Sequence, residues 1–196
     1  MTGLVVIGTS WGGLTALSTI VAGLPGDFPL PICIVQHRSK DSDALLVGLL
    51  QDLTSLTVRD AEDKEPLCPR TIYIAPPDYH MLVETEYISL TVDSPVRFSR
   101  PSIDVLFKSA SDTFGASATG VVLTGANEDG AAGLARIVSR GGKALVQDPK
   151  TAESPVMPLS ALRAVPGARV APLEEISAEL VKLVTAPQVL RNRKVG

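Results

Sequence analysis

Three short stretches carry the residue types for acid–base and nucleophilic work. Gly8-Thr9-Ser10-Trp11-Gly12 follows an aliphatic run and has the spacing G-x-S-x-G. In that pattern a serine sits on a sharp strand-to-helix turn with its hydroxyl exposed. His37 follows the run PICIVQ, and Asp129 lies in Gly125-Ala126-Asn127-Glu128-Asp129-Gly130, just after Val121–Thr124. A serine hydroxyl is a weak nucleophile until a base takes its proton. The base in turn needs an acceptor on its other ring nitrogen. Ser10, His37 and Asp129 therefore have the types needed for nucleophilic acyl transfer.

Each has a competing explanation. A glycine-rich turn after a first strand often only closes the turn or binds phosphate. The dinucleotide fingerprint fits poorly here. Ser10 stands where its second glycine would admit the pyrophosphate, and Gln36-His37 supplies no acidic residue for a ribose. A histidine in an apolar context is commonly structural, and His80 is a second-choice base. Asp129 competes with Asp78, Asp104 and Asp148, and it suits the N-cap of a helix over 130–140. Capping and catalysis are compatible, since both hold a carboxylate at a helix start.

The elements that must position these residues alternate in type. Leu4–Ile7, Leu30–Gln36, Arg70–Ala75, Ala118–Thr124 and Lys143–Gln147 read as buried strands. Helices are expected over Leu14–Leu24, Asp41–Leu53, Ile103–Gly115, Gly130–Arg140, 159–164 and 174–184. In the second of these, Leu45, Leu46, Leu49, Leu50 and Leu53 make one apolar stripe. Residues 80–92 alternate around a polar turn and predict an antiparallel hairpin. The fold class is α/β: a doubly wound, mainly parallel sheet with helices on both faces and an antiparallel β-hairpin. Ligands on such sheets sit beyond the carboxyl ends of the strands, where Ser10, His37 and Asp129 all fall. One domain over 1–186 is expected, with a C-terminal tail at 187–196 whose Arg191, Arg193 and Lys194 form a solvated charge cluster.

Composition removes several function classes. The 196 residues are 45% hydrophobic and 20% charged, which excludes a disordered chain. A net charge of −3 and 4% aromatic content leave no basis for bulk nucleic-acid binding. No apolar run approaches the ~18 residues of a membrane span, so no membrane insertion is expected. Cys33 and Cys68 lie far apart, without metal-ligand spacing, and Cys33 reads as a small buried hydrophobe. With no room for a signal peptide before the first strand, a reduced cytoplasmic setting is expected.

Six segments occur in a recognisable order: IGTSWGG (7–13), IVQH (34–37), IYIAPPDYH (72–80), RPSIDVLF (100–107), VVLTGANEDGAAG (121–133) and QDPKTAESPVMP (147–158). On these the chain resembles, over about residues 3–184, the catalytic domain of the chemotaxis protein-glutamate methylesterases, the CheB family. The resemblance implies hydrolysis of glutamyl methyl esters on chemoreceptors with release of methanol, and deamidation of certain receptor glutamines. It places the nucleophile at Ser10, the base at His37 and the orienting carboxylate at Asp129. It places oxyanion-hole N–H groups at His37 and Ala126. The family's usual loop reads T-G-M-G-x-D-G, whereas this chain has T-G-A-N-E-D-G. Trp11 is bulkier than the small residue usual after the nucleophile, and stacks on substrate or fills part of the cleft. Arg97 and Arg100 are candidate contacts for acidic receptor helices, with an ordinary exposed loop as the alternative. No cofactor and no metal are implied. The partners implied are methylated cytoplasmic receptor helices. The family's receiver domain is absent from this sequence, which points to a standalone enzyme or a fragment and to a separate regulatory receiver protein. A serine esterase for another substrate, or a catalytically impaired binding module of the same fold, are the alternatives.

Overall fold

The computed structural model describes residues 3–37 and 45–185. The expected tail at 187–196 and the start of the helix expected from Asp41 lie outside these residues. The strands are β1 (Leu4–Thr9), β2 (Ile32–Gln36), β3 (Thr57–Asp60), β4 (Thr71–Ile74), β5 (His80–Val83), β6 (Ile88–Thr91), β7 (Ala118–Val122), β8 (Lys143–Gln147) and β9 (Arg169–Ala171). The helices are α1 (Gly13–Gly23), α2 (Leu45–Gln51), α3 (Ile103–Phe114), α4 (Ala131–Ser139), α5 (Val156–Ala164) and α6 (Ile176–Thr185). A seven-stranded sheet runs in the order β3-β4-β2-β1-β7-β8-β9, with every pairing parallel. β5 and β6 pair antiparallel in a separate two-stranded sheet, as the alternation at 80–92 predicts.

Strand side chains alternate between two cores, which is why the central strands are apolar at nearly every position. Val5 and Ile7 of β1 pack with residues of α1, α2 and α6, while Leu4 and Val6 pack with residues of α3, α4, α5 and the hairpin. α3 buries Ile103, Leu106, Phe107 and Ala110, the i, i+3, i+4, i+7 stripe of one helix face. Each fully buried aliphatic side chain contributes about 1.5–3 kcal/mol of transfer free energy.

Three sequence expectations change. The edge strands β3 and β9 were not foreseen. β3 has one buried residue in four, Val58, and β9 has one in three, Ala171. Short, charged edge strands carry little apolar periodicity because one flank faces solvent. In α2 only Leu46 and Leu50 are buried, while Leu45, Leu49 and, just beyond the helix, Leu53 are exposed, so the leucine stripe is only partly core. Finally, β1 continues two residues further than expected, through Gly8 and Thr9, and so delivers Ser10 directly at its end.

The order of the sheet fixes where a site forms. From β1 the chain builds β2, β3 and β4 on one side, then returns through α3 to lay β7 on the other side of β1. The direction of winding reverses between β1 and β7. Helices leaving these two strands part there and open a crevice at the strands' carboxyl ends.

Candidate active site

Ser10 is the first residue beyond β1. Its N–H donates to Thr124 O at 3.0 Å, and its carbonyl accepts from Gly13 N–H at 2.9 Å and from Gln36 Nε2 at 2.9 Å. The serine backbone is thus tied to β7 on one side and β2 on the other. Gly12 takes φ +76° and ψ 3°, values that suit the third residue of a tight turn with positive φ. A Cβ there would also strike Glu153. Gly125 leaves room in the same way, since a Cβ would meet Met157 Sδ and lie 3.0 Å from Ser10 Cβ.

His37 follows β2 in register with this turn, because Thr9 pairs with Gln36. Its Nε2 lies 2.9 Å from Asp129 Oδ2. Asp129 is almost fully buried and is held by the first turn of α3. Oδ1 accepts from Ser102 Oγ–H and Asp104 N–H at 3.0 Å each, and Oδ2 accepts from Ile103 N–H at 2.7 Å. Burial alone would raise the carboxyl pKa. The hydrogen bonds from His37 and from the Asp104 and Ile103 N–H groups outweigh it and hold Asp129 below the usual carboxylate range. A carboxylate held this way is ionised and accepts only, so the imidazole proton belongs on Nε2.

Asp129 therefore serves two helix starts, the expected one at Gly130 and that of α3. α4 begins at Ala131 after Gly130, and Asp129 Oδ1 accepts the Gly130 N–H at 3.0 Å. Asp104 Oδ1 shares the Gly130 N–H at 3.1 Å and alone accepts from Gly133 N–H at 2.7 Å. The two helix starts exchange carboxylates, Asp129 onto α3 and Asp104 onto α4. Burial, then the neighbouring charge of Asp129, push the Asp104 carboxyl pKa upward, even though the Gly133 N–H opposes them.

His80 is excluded as a second base by its surroundings. It is buried, its Nδ1 accepts from Ser102 N–H at 3.2 Å, and its Nε2 donates to Ser94 O at 3.2 Å. Cys33 is buried, and desolvation pushes its thiol pKa well up, as befits an inert hydrophobe. Among the described residues no cluster of His, Cys, Asp or Glu could hold a metal. No helix among them is long and apolar enough to cross a membrane.

Ser10, Trp11, Gly12, Gln36, His37, Ala126 and Glu153 line one cleft of about 470 Å³. A cleft with a strand-end serine, a histidine and a buried carboxylate behind it invites comparison with known proteins. The model of the CheB methylesterase family matches residues 5–180. The chain belongs to the CheB methylesterase family.

Relatives within the CheB family differ in length. A Leptospira interrogans protein is 45% identical over 91% of this chain and 93% of its own length. A Carboxydothermus hydrogenoformans protein named protein-glutamate methylesterase/protein-glutamine glutaminase 1 is 38% identical over 90% of this chain. The chain spans about half of that relative, 54% of it. The crystal structure of the Thermotoga maritima CheB methylesterase catalytic domain matches with a TM-score of 0.91 at 31% identity, over 94% of this chain and all of the other.

Within this CheB site several carried-over roles change. The His37 N–H donates to Thr9 O at 3.1 Å, so the sheet already uses the first expected oxyanion donor. Ala126 N–H has no partner among the described residues, and neither have Trp11 N–H and Gly12 N–H. Trp11, 65% exposed, stands at the cleft mouth. Arg100 is no free receptor contact. Its Nε and Nη2 reach Asp78 Oδ1 at 2.9 and 2.6 Å, and its Nη1 donates to Val92 O and Asp93 O. Arg97 stays exposed, with Glu128 of the 125–129 loop 3.6 Å away.

Sequence reasoning missed Ser102, Ile103 and Asn127, and weighed Asp104 only as a rival to Asp129. Asn127 Nδ2 lies 3.1 Å from His37 Nδ1, and Asn127 Oδ1 accepts Asp129 N–H at 3.0 Å. Among the described residues the Ser10 hydroxyl makes no hydrogen bond to His37. The structure brings His37 and Asp129 together and places Ser10 in the same cleft, unbonded to the ring. The one sequence signal for Asn127 is its place two residues before Asp129 in a glycine-bounded loop.

Proposed function

We propose that this protein hydrolyses glutamyl methyl esters on the cytoplasmic helices of chemoreceptors, releasing methanol, and deamidates receptor glutamines by the same acyl chemistry. The observation that carries this reading is the strand-end serine sharing a cleft with a histidine whose far nitrogen is 2.9 Å from a buried carboxylate.

Ser10 Oγ attacks the ester carbonyl carbon, and His37 Nδ1 takes its proton while Nε2–H remains on Asp129. The N–H groups of Trp11 and Ala126 donate to the carbonyl oxygen as negative charge develops on it, replacing the His37 donor in that role. Fixed donors of this kind typically give the largest single share of acyl-transfer catalysis. Collapse breaks the C–O bond, and the methoxide leaves with the proton from Nδ1 as methanol. Water, deprotonated by the same nitrogen, then attacks the glutamyl carbonyl carbon; the C–Oγ bond breaks, Nδ1 returns the proton to Ser10 Oγ, and the receptor's glutamate side chain is freed. With glutamine as substrate the leaving group is ammonia. Glu153 on the rim suits a neutral ester or amide better than the carboxylate product, and so favours release.

Incubation with a receptor fragment carrying glutamyl methyl esters should release methanol at a rate proportional to enzyme. Hydrolysis of small aryl esters with none from the receptor fragment would point to an esterase for another substrate. Neither activity in folded protein would point to a binding module. A separate receiver protein, if it regulates the enzyme, should alter the rate of methanol release when added in its phosphorylated form.

A further inference from the structure

The residue opposite the carboxylate on the imidazole is an amide, not the serine. Asp129 N–H donates to Asn127 Oδ1, and only the amide oxygen can accept that bond, so the orientation of Asn127 is fixed and its NH2 must face His37. His37 Nδ1 accepts from that NH2 at 3.1 Å, while Nε2 donates to Asp129. Both ring nitrogens are therefore occupied. Yet Nδ1 is the atom that must receive the Ser10 proton, because Nε2 is committed to the carboxylate. A single lone pair cannot serve the amide and the serine hydroxyl together.

We propose that Asn127 is a latch on the base: its amide occupies the Nδ1 lone pair, and the site becomes competent only when the 125–129 loop moves that amide aside. This deepens the hydrolase reading and rests on it. The loop is placed for such a role. Ala126 and Glu128 on either side of Asn127 are exposed, and Ala126 lines the cleft that a substrate enters. The Arg97–Glu128 pair at 3.6 Å is a light surface tether of the kind an arriving acidic helix can exchange. Asn127 acts through His37 and is a positioning residue.

The test compares wild-type protein with Asn127→Ser and Asn127→Asp, following the rate at which a fluorophosphonate probe labels Ser10, with thermal melting as a control for folding. Both variants keep an oxygen that can accept Asp129 N–H. Serine is too short to reach Nδ1, so Asn127→Ser should label about three- to tenfold faster, the scale of one neutral hydrogen bond. Asn127→Asp offers Nδ1 an acceptor and holds a proton there, so it should label several-fold slower. A loop residue with a purely structural role predicts both near the wild-type rate, and that result overturns the latch while leaving the hydrolase reading standing. No labelling of Ser10 in any of the three overturns both. Should neither variant fold, imidazole ¹⁵N spectra of the wild type decide: the latch requires the proton on Nε2 with Nδ1 accepting, and a proton on Nδ1 overturns it.

Discussion

Asp129 is the residue on which structure and chemistry coincide. It receives the Ser102 hydroxyl, two α3 N–H groups, the Gly130 N–H and the His37 ring N–H. Asp129→Asn replaces one accepting oxygen with an NH2 that must face donors. The cost should be about 2–3 kcal/mol, or a Tm lower by roughly 4–12 °C at this chain length. Loss of control over the imidazole tautomer should lower kcat by about 10³–10⁴. Differential scanning calorimetry beside a methanol assay checks both, and an unchanged Tm would contradict the capping geometry. At this scale the sequence was partly legible. That Ser10, His37 and Asp129 fall at one edge of the sheet could be read because each lies in a turn that follows an apolar run. The partners of Asp129 could not, because Ser102 and Asp104 lie more than twenty residues away and reach it only once α3 is packed. The His37 N–H was misassigned because nothing local reveals that the sheet ladder continues past Gln36.

At the scale of elements, α3 and α4 are joined by exchanged caps. Asp104 accepts both α4 N–H groups on a single oxygen, Oδ1. Asp104→Asn keeps that acceptor and removes a buried charge beside Asp129, so its stability should stay within about 1 kcal/mol of the wild type. Asp104→Ala leaves the Gly133 N–H without its acceptor, while Gly130 N–H keeps Asp129 Oδ1, and should cost about 2 kcal/mol. Chemical denaturation of the pair tests this, and equal losses in both variants would refute the exchange. The expectation that Asp129 caps its own helix holds at Gly130 but leaves out Asp104, which shares that N–H and takes Gly133. Local sequence suggests an N-cap for the adjacent helix, but a cap taken from a neighbouring element depends on helix packing. The central strands and most helices were legible because they bury continuous or 3.6-periodic apolar residues. The edge strands β3 and β9 were not, since each buries only one residue.

For the whole molecule, the reversal of winding between β1 and β7 makes one crevice serve three separate stretches of chain. It also places two buried carboxyl groups with opposite pKa shifts beside each other, and this shapes stability against pH. Asp129, held low, contributes stability that is complete above the unfolded aspartate value near 3.9 and is lost as pH falls through its folded value. Asp104, pushed up, costs stability while charged, and that cost is relieved as pH falls through its raised value. Tm should therefore rise slightly as pH is lowered from neutrality and then drop below about pH 4. Asp104→Asn should remove the rise, and Asp129→Asn should flatten the drop. Identical pH profiles for wild type and both variants would contradict the assignment of these shifts.

The central claim is that Ser10 forms the acyl enzyme. Its most direct measurement is methanol release from a methylated receptor fragment by wild-type protein and by Ser10→Ala, with equal Tm showing that both are folded. The wild type should release methanol in step with ester loss and Ser10→Ala should release none above background. Release by Ser10→Ala at the wild-type rate would contradict the account.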